Sequence, residues 1–198
     1  RAYLRGSRES NVLSCVKHFP GDGVEERDQH LVMGINNLSC EEWDESFGKV
    51  YQTLINEGLE SIMAGHIALP AYSRHFYPEL KDEEIMPATL APELIQGLLR
   101  TKMGFQGIVV TDASHMGGML SAKPRSMQVP GAIAAGCDMF LFFHDPAEDF
   151  QYMLDGYKQG VITEERLNEA VTRILGMKAK LGLHKKRIAD QLDERGVL

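Results

Sequence analysis

A fourfold alternation of short apolar run and helix-period segment constrains this 198-residue chain most. The runs are Asn11–Lys17 (NVLSCVK), Leu59–Ala68 (LESIMAGHIA), Gly107–Thr111 (GIVVT) and Asp138–Phe143 (DMFLFF). They are rich in Val, Ile, Met or Phe and do not strictly alternate apolar with polar. That pattern belongs to parallel strands covered on both faces. Parallel strands joined by helical crossovers define an α/β fold.

The intervening helices carry their own stop and start signals. Ser39-x-x-Glu42 is a capping box, with Leu38 and Trp43 at the staple positions. It opens a helix over Ser39–Glu57, whose expected inward face is Trp43, Phe47, Val50, Leu54 and Ile55, closed by Gly58. A second helix is expected over Leu90–Met103, ended by Gly104, and a third over Gln128–Ala135, ended by Gly136. Asp145-Pro146 opens a helix over Ala147–Gln159. Thr163 caps the last long helix, with Leu167, Val171, Ile174, Leu175 and Leu181 expected inward.

Four βα units fit either a compact doubly wound sheet or part of an eight-stranded barrel, which takes about 250 residues when complete. The long connections follow the first three strands, at Phe19–Leu38, Leu69–Pro87 and Asp112–Arg125. Both architectures place chemistry there, at the C-terminal ends of the strands. The last residues, 185–198, are charged and lack an apolar face, so residues 1–184 form the domain and 185–198 an extension.

Charge narrows the partners. The balance is 21 basic against 28 acidic residues, a net −7. Nucleic acid and anionic membrane surfaces both call for the opposite sign. No apolar run nears the roughly 20 residues of a membrane span, and the N-terminal RAYLRGSRES carries no leader-type stretch. Three cysteines, Cys15, Cys40 and Cys137, without a CxxC pair, argue against a disulfide framework or structural zinc. Reduced thiols fit a cytoplasmic setting.

Three strings carry candidate chemistry. Lys17-His18-Phe19-Pro20-Gly21-Asp22-Gly23 leaves the first strand. A Lys-His pair there is costly to bury without partners and points to a polar pocket. Asp28-Gln29-His30 comes next on the same loop. A carboxylate two residues before a histidine can fix its tautomer and suit it to giving and taking a proton. In Gly107–Thr111-Asp112-Ala-Ser-His115-Met116, the carboxylate of Asp112 comes directly after an apolar strand. It is a helix cap or a pre-aimed nucleophile.

Taken together and in this order, KHFPGDG, DQH and IVVTDASHM resemble glycoside hydrolase family 3, in its β-N-acetylglucosaminidase-like branch. The segment Glu165–Leu183 is similar to the family's closing helix, so the likeness spans about residues 1–183. It implies the C-terminal half of a (β/α)8 barrel. It also implies Asp112 as nucleophile, His30 as general acid/base, Asp28 as its orienting partner, Lys17 and His18 as residues gripping the sugar, and Met116 in the pocket. His66, in AGHIALP, is expected to line the pocket. The chain departs from the family's pattern at Gln29, where Ser or Thr is commoner, at Asp22, where His is common, and at Ser114-His115. Gln29 is not the proton carrier, so that departure is expected to matter little.

The implied reaction is retaining hydrolysis of a terminal β-linked N-acetylglucosamine on a small carbohydrate substrate, with no metal or organic cofactor. The rivals are a β-glucosidase or glycoside phosphorylase of the same family, and an inactive half-barrel. The Asp and Arg that the family's early strands supply have no counterpart here. The other barrel half, or a second copy, is therefore expected to complete the fold.

Overall fold

The computed structural model describes residues 1–185, so the expected extension lies outside the described residues except for Lys185. The strands are β1 (Cys15–Phe19), β2 (Gly34–Ile35), β3 (Ser61–Ala64), β4 (Ile67–Ala68) and β5 (Ile108–Thr111). β1, β3 and β5 form one parallel sheet in that order, with Cys15 opposite Ser61 and Ser61 opposite Ile108. Spatial order follows chain order without the reversal that marks a doubly wound sheet. The sheet is a segment of a (β/α)8 barrel.

Three expected strands come out differently: the run Asn11–Lys17 pairs only from Cys15 and continues to Phe19. The run Leu59–Ala68 breaks at Gly65-His66 into β3 and β4, and β4 pairs with β2 across the loops. The run Asp138–Phe143 is reduced to one parallel bridge, Val110 with Met139. Its amides bond inward, Asp138 N–H to Val109 O at 2.7 Å, but no strand pairs with its far side among the described residues. Without that partner the chain bends away, and Phe142 takes φ +56°.

Helix α1 is Ala2–Glu9. Helix α2 covers 40–56 in one run, Cys40–Trp43, Asp44–Gly48 and Lys49–Asn56. Its capping box forms: Ser39 Oγ accepts the Glu42 amide at 3.2 Å, and the Glu42 carboxylate accepts the Ser39 amide at 2.8 Å. The middle turn is π-wound, which inserts one residue and rotates the later turns of the helix. Tyr51 is therefore buried where Val50 was expected, and Val50 is exposed.

Helices α3 (Pro70–Phe76), α4 (Glu93–Lys102), α5 (Gly117–Leu120), α6 (Arg125–Ala135), α7 (Pro146–Lys158) and α8 (Glu164–Lys180) complete the fold. Asp145 caps α7 by accepting the amides of Ala147 and Glu148, both at 2.9 Å. Thr163 caps α8 through the Arg166 amide at 3.1 Å.

The inward face of α8 is rotated from the one expected, and of the expected residues Ile174 and Leu181 stay half-buried. Leu167, Val171 and Leu175 are exposed, while Arg166 and Ala170 are buried. The cause is Asp138, whose carboxylate has no exposed side-chain surface. It accepts from Arg100 Nη2 at 2.7 Å, Arg173 Nη1 at 3.2 Å, the Val109 amide at 2.9 Å, and Arg166. Burial pushes the Arg100 guanidinium down to about 10, with Asp138 opposing the shift. Ionic demand at one buried carboxylate decides which side of α8 turns inward.

The main core lies between the sheet and helices α2 and α4. Phe19, Trp43, Tyr51 and Tyr72 interlock there, Phe19 edge-on to Trp43 at 6.2 Å and Trp43 edge-on to Tyr72 at 5.3 Å. A smaller cluster of Met119, Val129, Ile133, Phe140 and Ile162 packs beneath α6. No described helix is long and apolar enough to cross a membrane.

Candidate active site

The aromatic core fixes the loop leaving β1. Trp43 Nε1–H donates to Pro20 O at 2.7 Å, and Asn36 Nδ2 donates to Gly21 O at 3.2 Å. Gly21 has φ +140°, and a side chain there would overlap the Phe47 ring. Glycine thus lets the chain turn tightly over α2. His18, just before the turn, is partly exposed at the sheet's C-terminal edge. Its Nδ1 stands 3.5 Å from Asp22 Oδ2 and its Nε2 3.3 Å from Asp112 Oδ2. Burial holds this imidazole below its ordinary value; Asp112 opposes that shift and Lys17 adds to it. Lys17 itself is exposed on β1, on the same face as Cys15.

Asp112 follows β5 directly. Its amide donates to Ala64 O at 2.9 Å, which continues the sheet by one bond. Its Oδ1 accepts the Ala113 amide at 2.7 Å. Its Oδ2 is buried and accepts no hydrogen bond among the described residues; His18 is in ion-pair reach but off line. A buried carboxylate oxygen without a donor is costly, and here it lies at the mouth end of the strand. The next residues are strapped down. The Ser114 amide donates to Leu141 O at 3.2 Å, and Ser114 Oγ donates to Phe142 O.

Asp28 and His30 form a closed local pair. Asp28 Oδ1 accepts the His30 amide at 2.9 Å and faces His30 Nδ1 at 2.6 Å. With Nδ1–H donating to the carboxylate, Nε2 is the ring atom left for other chemistry. The His30 amide, and then its ring, hold the Asp28 carboxyl below the usual carboxylate range. Both side chains are more than half exposed. The loop that carries them docks on the segment after Asp112: Gly117 N–H donates to His30 O at 2.7 Å and Gly118 N–H to Gln29 O at 3.0 Å.

The structure thus brings Asp112, His18 and the Asp28–His30 loop to one end of the sheet. Met116 is buried where α5 begins. His66, expected to line the pocket, is fully buried with both ring nitrogens engaged. Its Nε2 bonds Ala113 O at 2.9 Å and its Nδ1 bonds Thr89 Oγ1 at 3.0 Å. No ring nitrogen is left for a sugar, and His66 instead braces the residue after Asp112. Burial lowers its proton affinity, while the Ala113 carbonyl and Asp112 oppose the shift. Gln29, set aside in the sequence, is buried in this site. A cleft of about 620 Å³ runs between α6 and α7 beside Met127, Pro130 and Tyr152. None of Lys17, His18, Asp28, His30, Asp112 or Met116 lines it.

The family model of the glycosyl hydrolase family 3 N terminal domain matches residues 1–177. The chain belongs to glycoside hydrolase family 3. A relative from Cellulomonas fimi, a beta-N-acetylglucosaminidase/beta-glucosidase, is 54% identical over 92% of this family 3 chain and 32% of its own length. The solved structure of a beta-glucoside phosphorylase, BglX, is 49% identical with a TM-score of 0.92, over 94% of this chain and 34% of that one. A family 3 beta-N-acetylglucosaminidase from Paenibacillus sp. str. FPU-7 is 29% identical with a TM-score of 0.83, over 98% of this chain and 36% of that one. The family 3 chain therefore spans about a third of the length of these relatives.

Proposed function

We propose that the protein carrying this chain is a retaining glycoside hydrolase that releases terminal β-linked N-acetylglucosamine. The observation that carries this reading is the pairing of two loops. One bears a carboxylate with an unpartnered oxygen, Asp112 Oδ2, and the other an imidazole oriented by its own carboxylate, His30 with Asp28. Asp112 attacks the anomeric carbon and forms a glycosyl ester as the glycosidic bond breaks. His30 gives its Nε2 proton to the departing oxygen. The neutral imidazole then takes a proton from water, which attacks the ester and frees both the sugar and the carboxylate.

His18, beside Asp112 Oδ2, and Lys17 hold sugar hydroxyls in this reading, and Met116 closes the pocket floor. Their hydrogen bonds contribute to rate where they tighten as positive charge develops on the ring. The remaining barrel wall comes from the rest of the protein or from a second copy, in keeping with relatives about three times as long.

The test is covalent trapping. A 5-fluoro N-acetylglucosaminyl fluoride, which keeps the 2-acetamido group, should leave one sugar on the peptide that holds Asp112, and Asp112→Asn should abolish turnover and labelling. A sugar on another peptide would sink the assignment. Paired aryl β-N-acetylglucosaminide and β-glucoside assays then fix the sugar.

A second reading, glycoside phosphorolysis, is favoured by the likeness to the beta-glucoside phosphorylase. An exposed histidine repels an incoming phosphate less than a carboxylate would. Inorganic phosphate added to the assay should then yield sugar 1-phosphate in place of free sugar.

A further inference from the structure

We propose that Gln29 is the positioning residue of the acid/base loop and works with Asp22 as a two-ended clamp that holds His30 at Asp112. This rests on the role given to His30 above.

Gln29 is 5% exposed, while its neighbours Asp28 and His30 are open to solvent. Both ends of its amide are used. Oε1 accepts the His66 amide at 3.0 Å, and Nε2 donates to Asp22 Oδ2 at 3.2 Å. A carboxylate only accepts and a backbone amide only donates, so the amide can sit in one orientation alone. Its backbone oxygen accepts from Gly118 at 3.0 Å. One residue therefore ties together the segments that follow β1, β3 and β5, where Asp22, His66 and Gly118 lie. Gly65 leaves the room for this: a Cβ there would stand 3.3 Å from Gln29 Oε1 and 3.0 Å from His18 Cβ.

The clamp reaches both proposed reacting groups. Asp22 Oδ2, which accepts from Gln29, also stands 3.5 Å from His18 Nδ1, and the other edge of that ring faces Asp112. Gln29 is covalently next to His30. Asp22 and Gln29 are the ends of one hydrogen bond. A serine at position 29 is too short to span from the His66 amide to a carboxylate at position 22. An acid/base group displaced by about 1 Å loses on the order of a hundredfold in rate, so a side chain that fixes its loop acts on turnover without touching the sugar.

Polarity reversal tests this in the intact protein. Gln29→Glu keeps the acceptor for His66 but sets a carboxylate against Asp22. Asp22→Asn then restores a donor from the other side. The expected result for Gln29→Glu is a fall of about tenfold or more in kcat on alkyl glycosides, with little change in KM. The fall should be smaller on dinitrophenyl glycosides, whose leaving group needs no proton. The Gln29→Glu/Asp22→Asn double variant should recover most of it. Gln29→Met, of equal length and lacking both bonds, should lose rate in the same pattern if the new carboxylate impairs folding. A double variant no better than the product of the single losses, or equal losses on both leaving groups while His30→Ala itself shows leaving-group dependence, overturns the clamp. His30→Ala run in parallel separates the two ideas. If it shows no leaving-group dependence, the role of His30 is lost, while recovery in the double variant still upholds the clamp.

Discussion

The backbone oxygen of His30 accepts the Gly117 amide at 2.7 Å, five residues after Asp112, so the proposed acid/base loop is seated on the nucleophile's own loop. Gly117 permits the approach, since a Cβ there would overlap the Leu31 carbonyl oxygen and lie 2.9 Å from His30 O. Gly117→Ala should therefore push the 30–31 backbone outward. We expect kcat to fall by about a hundredfold, with an overpacking cost of about 1–3 kcal/mol. Steady-state kinetics beside a urea unfolding curve checks this, and wild-type kcat in a folded variant would count against the docking.

His30→Ala removes the proposed proton donor and leaves the nucleophile in place. General acid catalysis contributes about 10²–10⁴-fold, so turnover of alkyl glycosides should fall by that order. Glycosides with a dinitrophenolate leaving group should retain most of their glycosylation rate. A series of aryl leaving groups measures the difference as the slope of log kcat/KM against leaving-group pKa. An unchanged slope would exclude His30 from the proton transfer.

The end of β5 at Thr111 and the helix caps could be read directly from the residues. Ser39, Asp145 and Thr163 cap as their side-chain chemistry dictates, because capping is decided within one turn. The candidate strings also lie at one edge of the sheet, since a barrel collects the C-terminal ends of its strands. The features that could not be read depend on partners distant in sequence. The face of α8 is set by Asp138, 28 residues before Arg166, and periodicity holds no information about that ion pair. The fate of His66 depends on Thr89 and Ala113. Gln29 carries no ionisable or nucleophilic group, so its residue type alone gives no signal of a role. Its length matters only once Asp22 and the His66 amide are known to flank it.

Asp138 gathers three guanidinium groups with no side-chain exposure of its own. Removing one partner from such a cluster leaves uncompensated buried charge, at a cost of about 3–5 kcal/mol. Asp138→Ala should therefore destabilise the fold by that amount, or prevent accumulation of folded protein. Arg173→Ala, which removes the longest of the three contacts at 3.2 Å from a partly exposed residue, should cost much less. Denaturant midpoints for the two variants settle the ranking.

His66 and His18 predict how stability depends on pH. Burial lowers the folded-state proton affinity of both imidazoles. An unfolded histidine titrates near pH 6.5, so as pH falls the unfolded chain takes up protons first. Stability from these groups is fully present above about pH 6.5 and is lost as pH falls below it toward the lowered folded values. His66 should dominate because it is fully buried and both its nitrogens are bonded as the neutral ring requires: Nε2–H donates to Ala113 O, and Nδ1 accepts from Thr89. His66→Gln should be less stable than wild type at pH 7.5, by about 1–3 kcal/mol for the disturbed bonds, and should lose less on going to pH 5.5. Urea midpoints at the two pH values measure both effects. A variant with the same pH slope as wild type would show that His66 takes up its proton as readily in the folded protein as in the unfolded chain.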